Sequence, residues 1–134
     1  MVKISFVCPV FNKEKYLNEV LKSINNQKGE FEKEFIFIND GSSDNSLQLL
    51  KQKTKTWKNT KIFNQDNFGP SIATQKGISL SKGDYVKLVG GDDILHPNCT
   101  NLLLSTIKKN NSVAVFSRYK LTKNLENINF KIER

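Results

Sequence analysis

Two adjacent carboxylates, Asp92 and Asp93, follow a glycine pair in the stretch at residues 83–97, GDYVKLVGGDDILHP. The apolar run at 85–89 reads as a buried strand, opened by the turn Gly83-Asp84 and stopped by Gly90-Gly91. Paired carboxylates beyond a strand, beside glycines that let a ligand come close, suit a divalent metal carrying phosphates. Mg²⁺ in particular is held by one or two carboxylates and completes its shell with substrate oxygens and water. A plainer role competes. Acidic residues are common in tight turns, and Asp93 is placed to cap a helix opened by Pro97.

Two other polar clusters also follow strand-like runs: Pro9-Val10-Phe11-Asn12, and Asn39-Asp40-Gly41-Ser42. Together with the Gly90–Asp93 cluster they offer an aromatic, an Asn, a carboxylate at a helix start and a carboxylate pair. A nucleotide needs about that set: a surface for its base, an acceptor for the base N–H and a metal for its phosphates. Neither GxGxxG after the first strand nor GxxxxGK[ST] is present, which counts against dehydrogenase and P-loop readings. Cys8 and Cys99 lack metal-ligand spacing and read as reduced thiols, with Cys8 a small core residue.

The elements that must position these clusters alternate. Residues 3–9 (KISFVCP) and 34–38 (EFIFI) are nearly continuous apolar runs, the pattern of strands buried on both faces. Residues 14–27 carry Tyr16, Leu17, Val20, Leu21 and Ile24 at helical spacing, and residues 45–57 form a second helix with Leu47, Leu49, Leu50 and Trp57. A short strand at 61–63 and a turn at 67–70 precede a third helix over 71–80. After the strand at 85–89, a fourth helix over 97–109 is expected to turn Leu102, Leu103 and Ile107 inward, followed by a fifth strand at 112–116. Ile128, Phe130 and Ile132 suggest a last weak strand. Such alternation implies a mostly parallel sheet flanked by helices on both faces, with every strand-to-helix loop on one edge.

A chain of 134 residues has room for one core, and a single domain over 1–134 is expected. No run reaches the ~18 apolar residues of a membrane span, and the first residues do not resemble a secretory signal, so a cytoplasmic protein is expected. The net charge of +8 favours anionic partners, nucleotide phosphates or an anionic membrane surface among them. Only Arg118 and Arg134 among the 21 basic residues are arginines, and nucleic-acid reading favours Arg. The charge permits a partner without identifying one, and no nucleic acid is expected.

Four ordered blocks, CPVFNKEKYLNEVLKSINNQ, FIFINDGSSDNSLQLL, NFGPSIATQKGI and GDYVKLVGGDDILHP, resemble the family-two glycosyltransferases of GT-A fold, over residues 3–118. The resemblance implies a Rossmann-like α/β domain holding the nucleotide-sugar-binding half of the enzyme, with the acceptor half beyond it. It implies transfer of a sugar from a nucleotide-diphosphate donor, a UDP-sugar in the first instance, to a saccharide or lipid-linked acceptor, as in cell-envelope polysaccharide synthesis. Mg²⁺ or Mn²⁺ would bridge the diphosphate, and the protein would work in the cytoplasm, including at the inner face of the membrane. Carried over by position, Pro9, Phe11 and Asn12 fall at the base pocket, and Asp40 falls at the aspartate that hydrogen-bonds a uracil-type base. Gly69, Lys76 and Gly91 fall along the donor, and Asp92 at the metal-contacting aspartate with Asp93 beside it. No catalytic base is identified: Glu126 and Glu133 lie in a polar tail without a supporting motif.

The chain departs from the family pattern at three places. Gly90 replaces the first aspartate of a DxDD block, Asn39 stands where an aspartate is common, and Thr74 replaces an arginine, with Lys76 as a substitute charge. A nucleotidyltransferase is the rival enzyme, but it would show a Gly-rich basic loop after the first strand. A non-catalytic nucleotide-binding remnant is the rival of another class, favoured by Gly90 and Thr74. Asp40 has a competing structural role as cap of the second helix.

Overall fold

The computed structural model describes residues 1–123 and residue 128. Four strands, β1 (Lys3–Val10), β2 (Glu32–Asp40), β3 (Thr60–Gln65) and β4 (Tyr85–Leu88), form one sheet in the order β3-β2-β1-β4. Every pairing is parallel. The helices are α1 (Glu14–Asn25), α2 (Ser46–Lys53), α3 (Pro70–Ser79) and α4 (Cys99–Asn110).

The two central strands are apolar on both sides because each face meets helices. Phe6, Cys8 and Val10 of β1 and Phe35 and Phe37 of β2 join Leu17, Val20, Leu21 and Ile24 of α1, Leu50 of α2, and Leu104 and Ile107 of α4 in the main core. The alternate residues Val7, Ile36 and Ile38 face the other way, onto Ala73 of α3. The expected α/β architecture is present, with helices on both faces.

Several boundaries differ from the sequence reading for visible reasons. β2 does not stop at Ile38 but continues through Asn39 and Asp40, which pair with Asn64 and Gln65 of β3. The Asn39 side-chain amide donates to Asn64 Oδ1 (2.7 Å) and that of Gln65 to Asp40 Oδ1 (2.8 Å), so polar cross-strand pairs extend the ladder past the apolar run. α2 ends at Lys53, and Trp57 lies beyond it, its ring 4.8 Å from Phe35 and 6.2 Å from Phe37. α4 turns Thr100, Leu104 and Ile107 inward, a clean i, i+4, i+7 stripe, and leaves Leu102 52% exposed and Leu103 half-buried. The fifth strand expected at 112–116 is not formed. The segment is irregular and largely exposed, because a β-rich sequence without a neighbouring ladder has nothing to pair with; Val115 alone packs on the core. Of the last suggested strand, Phe130 and Ile132 lie outside the described residues, and Ile128 is irregular.

α3 lies close to the sheet through Gly77, where an added Cβ would strike Cγ1 of Val7. Gly77→Val is therefore expected to lower stability by about 1–3 kcal/mol through overpacking. Urea denaturation reads this; an unchanged midpoint would mean that α3 can lift off the sheet without cost.

Candidate functional site

Because the strands are parallel, the segments that follow β1, β2, β3 and β4 all leave from the same edge of the sheet. Side chains knit them together there. Asn12, after β1, has a left-handed backbone (φ 49°), and its Oδ1 accepts the N–H groups of Ser43 (2.8 Å) and Asp44 (3.3 Å) in the loop after β2. Its own N–H donates to Ser42 Oγ (3.0 Å). Asn tolerates that conformation because its short side chain replaces lost backbone bonds.

The starts of α1 and α2 are locked reciprocally. Asp44 accepts the N–H of Glu14 at the head of α1 (3.1 Å) and of Ser46 at the head of α2 (2.9 Å). Glu14 in turn accepts the N–H of Asn45 (2.8 Å). Each carboxylate sits where helix N–H groups lack intrahelical partners. The helix-capping role considered for Asp40 thus belongs to Asp44: α2 starts six residues after Asp40, too far along the chain for that carboxylate.

Asp40 is buried at the end of β2 and holds the loop after β3. Its Oδ1 accepts from Gln65 (2.8 Å) and the Phe68 N–H (3.0 Å), and its Oδ2 from the Gly69 N–H (2.9 Å). Burial pushes this carboxyl up, but the three hydrogen bonds outweigh it and hold it below the ordinary aspartate value. Gly41, beside it, has φ 69°, and a Cβ there would come 2.7 Å from the Asn67 nitrogen, so the two loops touch only because this residue is glycine. Next to Asp40, Asn39 is 1% exposed and its Oδ1 has no hydrogen-bond partner. Sequence reasoning gave Asn39 only a substitute's part; the structure places it, buried and with its amide on Asn64, beside Asp40 at the end of β2.

The Gly90-Gly91-Asp92-Asp93 segment forms a tight turn. Asp93 Oδ2 accepts the Gly90 N–H (3.0 Å), and the Asp93 N–H donates to the Gly90 carbonyl (3.1 Å). Asp93 is therefore no cap of the following helix, which begins only at Cys99, because its carboxylate is turned back onto its own loop. Asp92 is half exposed, and its Oδ2 lies 2.6 Å from Lys13 Nζ. This contact joins the β4 loop to the β1 loop. Lys13 was missed in the sequence, where it reads as one lysine in a basic chain.

The remaining expected residues fall as follows. Pro9 is half-buried at the end of β1, and Phe11 is 43% exposed beside it. Gly69, at φ 91°, precedes Pro70 at the head of α3 and gives its N–H to Asp40. Gly91 is buried under the Lys13 stem. Lys76 is directed to β3, its ammonium 4.5 Å from the Phe63 ring centre, at the opposite edge of the sheet from β4 with two strands between. His96 is a loop residue, its Nδ1 accepting the Asn98 N–H (3.1 Å). Cys8 is fully buried, which with the nearby Asp93 and Asp92 pushes its thiol up to about 12 and leaves it unreactive at neutral pH.

Among the described residues no three His, Cys, Asp or Glu side chains converge as a metal cage. The donor set is Asp92 with Asp93 adjacent, one of its oxygens already engaged. A cation, the Lys13 ammonium, already rests on Asp92. One or two carboxylates fit a hard divalent ion whose other ligands come from a diphosphate and water. No described helix is long and apolar enough to cross a membrane.

Comparison with known proteins agrees with this architecture. The cholesterol galactosyltransferase of Borreliella burgdorferi is 34% identical over 117 residues, covering 87% of this chain and 32% of that protein. The glycosyltransferase GlyG of Streptococcus pneumoniae is 32% identical, covering 87% and 38%. S. aureus TarS 1-349, solved in complex with UDP-GlcNAc, superposes with a TM-score of 0.71 at 28% identity, over 80% of this chain and 31% of that one. The chain thus spans about a third of the length of these relatives. The family described as glycosyl transferase family 2 matches over residues 5–133, and the chain belongs to that family.

Proposed function

We propose that this chain forms the donor-binding part of a glycosyltransferase that transfers a sugar from a nucleotide diphosphate, a UDP-sugar, with Mg²⁺ or Mn²⁺ at the diphosphate. One observation carries the reading: a half-exposed carboxylate bearing a cation, Asp92, lies in a glycine turn on the same sheet edge as Phe11, Asn39 and Asp40. TarS, similar in sequence and fold, was solved with UDP-GlcNAc, which supports the same donor class here.

In this reading Pro9, Phe11 and Asn12 border the base. A carboxylate has about four acceptor positions; three of those on Asp40 are taken, which leaves the fourth for an imide N–H such as that of uracil, while the buried Asn39 Oδ1 is closed off from direct contact with a base. Asp92 would hold the divalent ion, Asp93 would shape the turn that presents it, and Gly69, open on the Cβ side, would give the diphosphate close approach. When bound, the ion offsets the charge that develops on the departing diphosphate. Lys76 remains the candidate for a phosphate contact only if it leaves Phe63. Transfer to a hydroxyl also needs a base to take its proton; Glu126 and Glu133 lie outside the described residues, and no described residue is assigned that role.

The base reading has a direct test. Uridine carries an N3–H where cytidine carries only an acceptor, so calorimetry in Mn²⁺ should find UDP bound roughly ten-fold or more tighter than CDP, the value of one charge-assisted hydrogen bond. Equal affinities would remove Asp40 from base recognition.

A further inference from the structure

We propose that Lys13 is a built-in counter-cation for Asp92, which keeps a divalent ion off that carboxylate until a nucleotide diphosphate arrives and draws the ammonium onto itself. This inference rests on the diphosphate reading above and adds to it a residue and an order of events.

Three features assign the role. First, the backbone of Lys13 is fixed: its N–H donates to the buried Ser46 Oγ (2.9 Å), and its carbonyl accepts the N–H groups of Tyr16 and Leu17 (2.9 Å each) at the head of α1. Second, its stem is guided. A Cβ on Gly91 would come 2.9 Å from Lys13 Cγ, so the glycine leaves the groove along which the side chain crosses from the β1 loop to the β4 loop. Third, the ammonium ends 2.6 Å from Asp92 Oδ2, and that aspartate is the one carboxylate of the turn not folded back onto it.

The charges then set the order. With Gly90 in the turn instead of a carboxylate, Asp92 and Lys13 cancel, and a metal arriving alone must displace an ammonium to gain one ligand. A diphosphate offers that ammonium new acceptors and the ion new oxygens at the same time. Lysine suits such a transfer because its ammonium is a compact charge on a flexible stem, free to change partners without a fixed fork geometry.

Mn²⁺ binding to the full chain without nucleotide, followed by the EPR signal of free Mn²⁺, tests this without an activity assay. Lys13→Met keeps the stem and removes the charge. It should bind Mn²⁺ roughly three- to five-fold tighter than wild type, the scale of a partly exposed ion pair. Lys13→Arg should stay as weak as wild type, and Asp92→Asn combined with Lys13→Met should lose the gain. In metal-free buffer, Lys13→Met should bind UDP several-fold more weakly. The proposal is overturned if Lys13→Met binds Mn²⁺ no tighter than wild type, or if the gain survives in the double variant. Wild type that fails to bind UDP even with Mn²⁺ would instead overturn the nucleotide reading, and the Mn²⁺ comparison would still decide the role of Lys13.

Discussion

Asp40→Ala should lower the stability of the chain by about 2–4 kcal/mol, a fall in Tm on the order of 10 °C, and should weaken UDP binding as well. The reason is that one buried carboxylate accepts three hydrogen bonds, two of them from the backbone N–H groups of Phe68 and Gly69. Truncation strands those donors, frees the loop that enters α3 and removes an acceptor from the proposed base pocket. Asp40→Asn keeps the shape but not the charge, and should fall between alanine and wild type. Thermal melting and UDP titration on the same samples separate the two roles: a variant that melts early but binds UDP normally would leave Asp40 a purely structural residue.

The same group sets part of the pH dependence. Burial pushes the carboxyls of Glu34, Asp40 and Asp44 up, but their hydrogen bonds outweigh it and hold all three below their ordinary values. Glu34 is held at the opposite end of the sheet by Ser5 Oγ (2.6 Å), the Lys82 N–H (2.8 Å) and Lys61 Nζ (3.0 Å). A carboxyl lowered in the folded state binds its proton more readily when unfolded, so its stabilising effect is complete above the ordinary value, about 4. That effect is lost as pH falls through the lower folded values. Denaturation midpoints should therefore be level near neutrality and fall below about pH 4, and Asp40→Ala should flatten the fall.

Asp92→Asn should abolish most of the effect of Mn²⁺ on UDP affinity. Coupling between two ligands of one site is typically 5- to 150-fold, and it is reciprocal. In the proposed site the diphosphate and the ion would each complete the other's shell, and the half-exposed Asp92 would join them to the protein. Asp93→Asn should act differently: it loosens the turn closed by its bond to the Gly90 N–H, reducing UDP affinity about equally with and without metal. Titrations of both variants, each with and without Mn²⁺, distinguish a ligand from a turn former.

The sequence displayed the architecture where burial speaks plainly. KISFVCP and EFIFI read as strands buried on both faces and form β1 and β2 in the middle of the sheet, and the helical stripe of residues 17, 20, 21 and 24 lies wholly in the core. It was less informative where polar side chains took over from apolar ones. β2 runs on through Asn39 and Asp40 because their partners on β3, Asn64 and Gln65, are polar too, and no hydrophobic pattern marks such a pair. The unformed strand at 112–116 shows the converse: the segment has strand composition, but composition supplies no neighbouring ladder. At the site, the positions of Asp40 and Asp92 on one edge followed from alternation alone. The Lys13–Asp92 contact did not, since residues 79 apart meet only through the parallel pairing of β1 and β4. Asp44 lies in a stretch whose composition suits helix caps, but its pairing with Glu14 is not legible there, because reciprocal capping between two helices is a tertiary feature.

The donor-binding claim is tested most directly by calorimetric titration of UDP into the wild-type chain, first with EDTA and then with millimolar Mn²⁺. Binding that is saturable in both conditions and at least five-fold tighter with Mn²⁺ is the expected result. No binding, or the same affinity in both, would contradict the claim and leave Gly90-Gly91-Asp92-Asp93 a turn and nothing more.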